Sequence, residues 1–594
     1  MAREQIEALR KAMEGHEIAL CVIPTADPHG SEYLGEHFMA RKYLSGFTGS
    51  AGTLAVSADW AGLWTDGRYF LQAQKELSGS GIILYKSGED GVPSLEEELA
   101  LRLPERGVLA YDGTVVSRKF GQDMRRIAEE KKGGVCLLDL PEEVWEGRPA
   151  PTANPVFSLD LCYTGESRKE KLARIREQMK KEEANFHVIT TLDDIAWITN
   201  LRGNDIACNP VFFSYLILSL EEAWLFVQDG VVPEAVREEL LEDGLQLCSY
   251  DHFFEKLPLI CGHKSVLADS RKVNEQAWNC LQAVCSMTDG PNPSASMKAV
   301  KNQVEIENIK KAHIKDGVAV TKFLCWLKKN IDSMPITETQ AADRLETYRK
   351  EQEHYTGPSF PAICAAGANG ALAHYQPLKE GAVLSPEGFF LVDSGGQYLE
   401  GTTDITRTVA LGPLNGRQKK HFTAVLKGML ALGDAKFLQG CRGASLDYAA
   451  REPLWAMGLD YQHGTGHGVG YFLNVHEGPN AFRWKLPPEG PETAVLLPGM
   501  VTSDEPGVYL EGEYGIRTEN LLLCRKAEKN QYGQFLEFEH LTLAPIDLEA
   551  VDWAEMDERD IKRLNAYHRQ VQAALSPYLE GEELEWFLEA VGAV

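Results

Sequence analysis

Residues 391–408 read LVDSGGQYLEGTTDITRT, and the rest of the chain is organised around them. Phe389, Phe390, Leu391 and Val392 form a short apolar run that predicts a buried strand. Asp393 closes it, and Ser394-Gly395-Gly396 predicts a turn. The chain returns through Gly401-Thr402-Thr403 to Asp404, and Ile405 to Leu411 predicts the next strand. Such a hairpin brings Asp393 and Asp404 to one point in space. Two carboxylates forced together push one pKa up until it holds a proton. A divalent cation removes that conflict by favouring both anions. Taken alone, the pair also fits two acidic residues flanking an ordinary turn, so the decision passes to the residues downstream.

Four further signals follow. HGTGHGVG (463–470) is a glycine-rich loop with two histidines, His463 and His467. It lacks the Gly-Lys-Ser/Thr ending of a phosphate-binding loop and has no GxGxxG spacing. NVHEGP (474–479) adds His476, and TSDEPG (502–507) places Glu505 beside a proline-glycine turn. GIRTEN (515–520) carries Arg517 and Glu519 and opens the apolar strand Leu521–Cys524.

A chain of 594 residues is too long for one core and predicts two to four domains. A net charge of −27 argues against nucleic acid and anionic membranes as partners. Residues 1–15 are charged and helix-forming, so no secretory signal is expected. No apolar stretch approaches the roughly 18 residues of a membrane span. Twelve cysteines without a CxxC pair fit reduced thiols and a cytoplasmic location.

The N-terminal half holds a weak internal repeat. A helix leads to the apolar run Ile18–Ile23 and to Thr25-Ala26-Asp27; a second helix, Leu172–Lys181, leads to Phe186–Ile189 and to Thr191-Leu192-Asp193. YLSGFTGS (43–50) answers to WITNLRGN (197–204), and each copy then offers a strand pair. Helices alternating with strands predict two related α/β domains. We place the boundaries at 1–153, 154–296, 297–526 and 527–594. The third segment opens with a helix near Val304, and a second helix starts at Thr337 with a capping-box spacing to Gln340. Arg417–Phe437 and Ser445–Met457 predict helices, Glu537–Ile546 a strand, and 557–591 a helical appendage.

In this order, Asp393, Asp404, His467, Glu505 and Glu519 resemble the five metal ligands of the pita-bread metallopeptidases. The resemblance is strongest to the long, three-domain Xaa-Pro aminopeptidase family. LVDSGGQYLEGTTDITRT, HGTGHGVGYFLNVHEGP, DEPGVY and GIRTENLLL carry it. YLSGFTGSAGTLAV (43–56) and TDGRYFLQA (65–73) resemble that family's creatinase/prolidase-type N-terminal domain. The implied fold is α/β (α+β), two related creatinase-type domains followed by a pita-bread catalytic domain.

The resemblance implies two divalent ions, with Asp404 and Glu519 bridging them, Asp393 on one, and His467 with Glu505 on the other. That set of four carboxylates and one imidazole is hard and oxygen-rich and suits ions such as Mn²⁺, and its five side chains fit two ions sharing carboxylates better than one. It implies a hydroxide between the ions as nucleophile, Glu505 as proton shuttle and His476 as oxyanion donor. His374 and His463 match the positions that line the side holding the proline and its carbonyl. Arg517 is expected to hold a carboxylate behind the ligands. The implied substrates are peptides with proline at position two, and the implied assembly is a homodimer. A prolidase would use the same centre on dipeptides only. A binding protein of this fold would have lost ligands, and creatinase-like chemistry lacks the metals; all five ligand positions are filled here.

Overall fold

The computed structural model describes residues 2–377, 381–485 and 494–594. It forms two compact units, Met1–Leu159 with Glu166–Ser294, and Asp160–Gly165 with Ala295–Val594.

The first unit contains two six-stranded sheets. The strands of one, in chain order, are Leu20–Pro24, Thr53–Ser57, Ala61–Thr65, Ile83–Lys86, Val108–Tyr111 and Gly134–Leu137. Those of the other are Phe186–Ile189, Ser214–Ser219, Ala223–Val227, Leu245–Ser249, Ser265–Ala268 and Ser286–Asp289. Counted first to sixth, both sheets run four-three-two-one-five-six across their width. In both, strands one, two and three pair antiparallel and the outer neighbours pair parallel. The faint sequence repeat is therefore a repeat of topology, carried by buried apolar strands.

The first long helix of the second unit is Gln303–Asn330. Asn302 caps it, accepting from the N–H groups of Val304 and Glu305 while the Glu305 side chain reciprocates. The helix Glu338–Lys350 follows, with the expected box between Thr337 and Gln340. Both helices cover a three-stranded antiparallel sheet made of Ile363–Ala366, Phe389–Ser394 and Ile405–Ala410. The central strand is buried on both sides. Phe390 and Val392 join Phe323, Leu327 and Leu345 on one side, and Phe389 joins Phe422 and Met429 on the other.

A six-stranded sheet completes the unit. Its spatial order is Lys436–Leu438, Gly533–His540, Asn520–Asn530, Val501–Asp504, Gly466–Gly468, Glu477–Phe482. Two expectations change here. The helix predicted over Arg417–Phe437 ends at Gly433, and Phe437 pairs with Leu536 in a strand. The strand predicted over Glu537–Ile546 ends at His540. Beyond it Pro545 has no N–H, and the N–H groups of Ala544 and Ile546 donate to Tyr567 Oη and His568 Nε2. The helix Glu558–Leu575 supplies those acceptors and packs Leu564, Tyr567 and Val571 into the core with Phe422.

Candidate metal centre

The three-stranded sheet and the six-stranded sheet each present carboxylates to one point. Asp393 lies near the end of the central strand and pairs with Thr406 across the hairpin. Asp404 immediately precedes the strand Ile405–Ala410. His467 lies in the strand Gly466–Gly468, Glu505 follows Val501–Asp504, and Glu519 precedes Asn520–Asn530. One ligand atom each of Asp404, His467 and Glu519 lie within 4.8 Å of one another. His467 Nε2 is 3.5 Å from Asp404 Oδ2 and 3.5 Å from Glu505 Oε1. The Asp393 charge acts on Asp404, Glu505 and Glu519 alike, so all five side chains share one site.

The glycine-rich loop is a packing device. A Cβ on Gly466 would sit 1.8 Å from the Ser503 carbonyl oxygen, and one on Gly468 would sit 2.1 Å from that of Glu477. These glycines let neighbouring strands close around His467. Its backbone N–H donates to Ser503 Oγ at 2.9 Å. Its Nδ1 lies 2.9 Å from the Gly468 carbonyl oxygen. A carbonyl only accepts, so Nδ1 carries the proton and Nε2 turns its lone pair toward the carboxylates.

Burial sets the electrostatics. It pushes the Asp404 carboxyl up to about 8, with the nearby Asp393 charge adding to it. Glu505 is raised well above the usual carboxylate range by burial and then by Glu519. Glu519 is raised by burial and then by Asp404. Two carboxylate oxygens, Asp393 Oδ1 and Glu519 Oε1, are buried without a hydrogen-bond partner. Orphaned anionic oxygens, crowded carboxylates and an aligned imidazole are the donor set a divalent cation satisfies. The residues present therefore fit the metals that the sequence implies.

Arg517 braces the carboxylate cluster from behind. Its Nη2 donates to Asp393 Oδ2 at 2.5 Å, Nε to Thr406 Oγ1 at 3.2 Å, and Nη1 to Tyr509 Oη at 2.7 Å. Burial alone would lower its pKa; the neighbouring Tyr509, Asp393 and Glu505 outweigh that and raise it. Thr406 Oγ1 in turn donates to Glu519 Oε2 at 2.6 Å. His463 Nδ1 donates to the Gly464 carbonyl oxygen at 2.7 Å, so its Nε2 accepts from Tyr509 Oη at 2.8 Å. Arg517, Tyr509 and His463 thus form one directed chain. The His476 ring stands at 85° to the His467 ring, with centroids 4.3 Å apart.

His374 is half-buried and follows the turn Gly367–Ala371. Its neighbour Tyr375 packs on Ile363, Ala365 and Leu391. Ile363 pairs with Asp393 and Ala365 with Leu391, so these residues share the sheet face that bears the Asp393 carboxylate. Tyr375 thereby brings the stretch that carries His374 to that face.

The chain is 36% identical to a probable Xaa-Pro aminopeptidase P of Laccaria bicolor, over 98% of this chain and 92% of that one. It is 36% identical to Aminopeptidase P1 of Arabidopsis thaliana, over 100% of this chain and 99% of that one. The model of metallopeptidase family M24 matches residues 307–526. The chain belongs to family M24. The C-terminal region of the M24 peptidases matches 534–594, and creatinase/prolidase N-terminal domain models match 5–149 and 147–305. Among solved structures, an X-prolyl aminopeptidase from Caenorhabditis elegans, a cytosolic enzyme with a di-nuclear active site, covers 100% of both chains. Its TM-score is 0.94 at 32% identity. The catalytic unit of this M24 chain is the pita-bread fold, and it follows two creatinase-type α/β domains in the chain.

Sequence patterns leave several residues of this M24 centre unmarked. Thr406 and Tyr509 lie inside the motifs, yet nothing in their type announces the bonds they make. Arg407, in sequence, is one more residue of a predicted strand. It is buried, and it donates to the carbonyl oxygens of Glu519 at 2.6 Å, Ala544 at 3.0 Å and Pro545 at 3.0 Å, and to Tyr567 Oη at 2.7 Å. One guanidinium thereby ties the Glu519 backbone to the C-terminal region. Its only sequence signal is a charged residue inside a predicted buried strand.

Proposed function

We propose that the chain is a metal-dependent aminopeptidase that hydrolyses the N-terminal Xaa-Pro bond of peptides. The observation that carries this is the convergence of Asp393, Asp404, His467, Glu505 and Glu519, with two of their oxygens buried and unpartnered. The full-length likeness to the Caenorhabditis elegans enzyme supports it. Asp393, Asp404, His467, Glu505 and Glu519 would hold two divalent ions, manganese in this reading. Such ions would make a water acidic enough to ionise near neutral pH and would polarise the scissile carbonyl.

The chain's own groups do the rest. Glu505 takes the proton from the attacking water and passes it to the leaving proline nitrogen. His476 donates to the oxyanion as it forms. Arg517 fixes the Asp393 carboxylate and, through Tyr509, the orientation of His463. His463 and His374 line the proline side. The Xaa-Pro bond has no N–H, so a site that accepts it makes no demand for that donor. The division at 153, 296 and 526 belongs to this reading and is supported by the four family matches. So do a homodimer and a cytoplasmic location, the latter supported by the cytosolic relative.

The test compares Arg-Pro-Pro, N-acetyl-Arg-Pro-Pro and Arg-Ala-Pro with added Mn²⁺. Only the first should be cut rapidly, and Arg-Ala-Pro slowly. Equal cleavage of all three overturns the specificity. Cleavage of Arg-Pro with no cleavage of Arg-Pro-Pro makes the chain a prolidase instead.

A further inference from the structure

Glu338 lies outside every motif that the metal centre uses. It is the first residue after the cap of the helix Glu338–Lys350, where a glutamate normally faces water. Here it is 0% exposed. Its Oε1 accepts from the Ala366 N–H at 2.9 Å and from Asn369 Nδ2 at 2.8 Å. Its Oε2 accepts from Tyr375 Oη at 2.6 Å and from the Ala382 N–H at 2.8 Å. Asn369 Nδ2 also reaches Tyr375 Oη at 3.1 Å. The Glu338 N–H itself donates to the Ala382 carbonyl oxygen at 2.9 Å. A buried carboxylate with no basic partner among the described residues is costly unless donors surround it, and the donors described here come from the stretch that carries His374 or from Ala382 just beyond.

We infer that Glu338 is the positioning residue that fixes His374 on the Asp393 face of the site. The hydrogen bond of Tyr375 sets the ring next to His374, and that ring packs on Ile363, Ala365 and Leu391. The same stretch is held from the other side by backbone. A Cβ on Gly515 would sit 1.7 Å from the Gly370 carbonyl oxygen, so the turn lies directly on the strand that bears Arg517. The stretch is thus clamped between Glu338 and the Arg517 strand, with His374 at its far end. Gln cannot replace Glu338, because its Nε2 donates and would face either the Ala366 and Asn369 donors or the Tyr375 and Ala382 donors.

This inference rests on the proposed role of His374 at the proline side, and the experiment separates the two. Glu338→Gln, His374→Ala and the double variant are assayed for kcat and KM on Arg-Pro-Pro, with metal content measured on each. Amide hydrogen exchange is followed at residues 366–377 and at Ala382. Expected are faster exchange in Glu338→Gln, unchanged metal content, and a loss of kcat/KM of up to about 10²-fold from misplacement. The double variant should be no worse than His374→Ala alone, since Glu338 acts through that side chain. Unchanged exchange in Glu338→Gln overturns the anchoring. Losses that multiply in the double variant overturn the route through His374. Full activity in His374→Ala overturns the reading of the proline side, and with it this inference, whatever exchange shows. Should Glu338→Gln fail to fold, Tyr375→Phe removes one donor without touching the charge. It must then show the same non-additivity with His374→Ala, or the inference falls.

Discussion

Asp404→Asn should abolish activity and at the same time make the metal-free protein more heat-stable. The Asp404 carboxyl is raised from 3.8 to about 8 in the folded protein, by burial first and the Asp393 charge second. Between those values the folded chain keeps a proton that the unfolded chain releases, so stability falls as pH rises. The penalty is absent below 3.8, grows across the window and levels off above about 8. Each pH unit within the window is worth about 1.4 kcal/mol. At pH 7 the burden is therefore about 4 kcal/mol, and at pH 5 under about 2 kcal/mol. Asparagine does not ionise and sheds it. With about 2.1 cal/mol/K per residue over a unit of roughly 300 residues, 4 kcal/mol raises the melting temperature by about 6 °C. The assay is calorimetry of chelator-treated wild type and variant at pH 7 and pH 5, beside turnover of Arg-Pro-Pro with saturating Mn²⁺. The reasoning is refuted by a variant that melts at or below wild type at pH 7, or by a gap that does not shrink at pH 5. Near-wild-type turnover would remove Asp404 from its bridging role.

The roles of His467 and His476, whose rings meet edge to face at 4.3 Å, should separate cleanly. His467→Ala should lose metal on elemental analysis, whereas His476→Ala should keep it and lose about 10²–10³ in kcat; equal depletion in both would merge the roles assigned to them. Tyr567→Phe removes an acceptor from the buried Arg407, which also holds the Glu519 carbonyl oxygen. It should cost about 1–3 kcal/mol in stability and speed metal loss to a chelator, and a variant unchanged in both would detach the C-terminal region from the metal centre.

Much of the centre is legible in the sequence, because its parts are written in local grammar. A strand ending in Asp393, a glycine turn and a return to Asp404 define a hairpin that brings the two carboxylates together. Its register, with Asp393 opposite Thr406, is set by the fold, because both strands are buried on both faces and show no alternation to read. The two N-terminal domains are legible for the same reason, since their apolar strands and intervening helices recur in one order. The breaks come where bonding is not local. The strand expected through Ile546 stops at His540 because the following N–H groups find Tyr567 and His568, more than twenty residues away. The missing Gly-Lys-Ser/Thr ending sets a phosphate cradle aside in the sequence, but only the tertiary structure makes glycines 466 and 468 the close approach of neighbouring strands. Glu338 and Arg407 carry no signal of their task, since the groups they bind include ones 28 to 160 residues distant in the chain. Residue type determined which side chains could serve as ligands. Only the folded chain decided which charged groups would be stripped of water, and burial is what turns an ordinary glutamate or arginine into part of the centre's support.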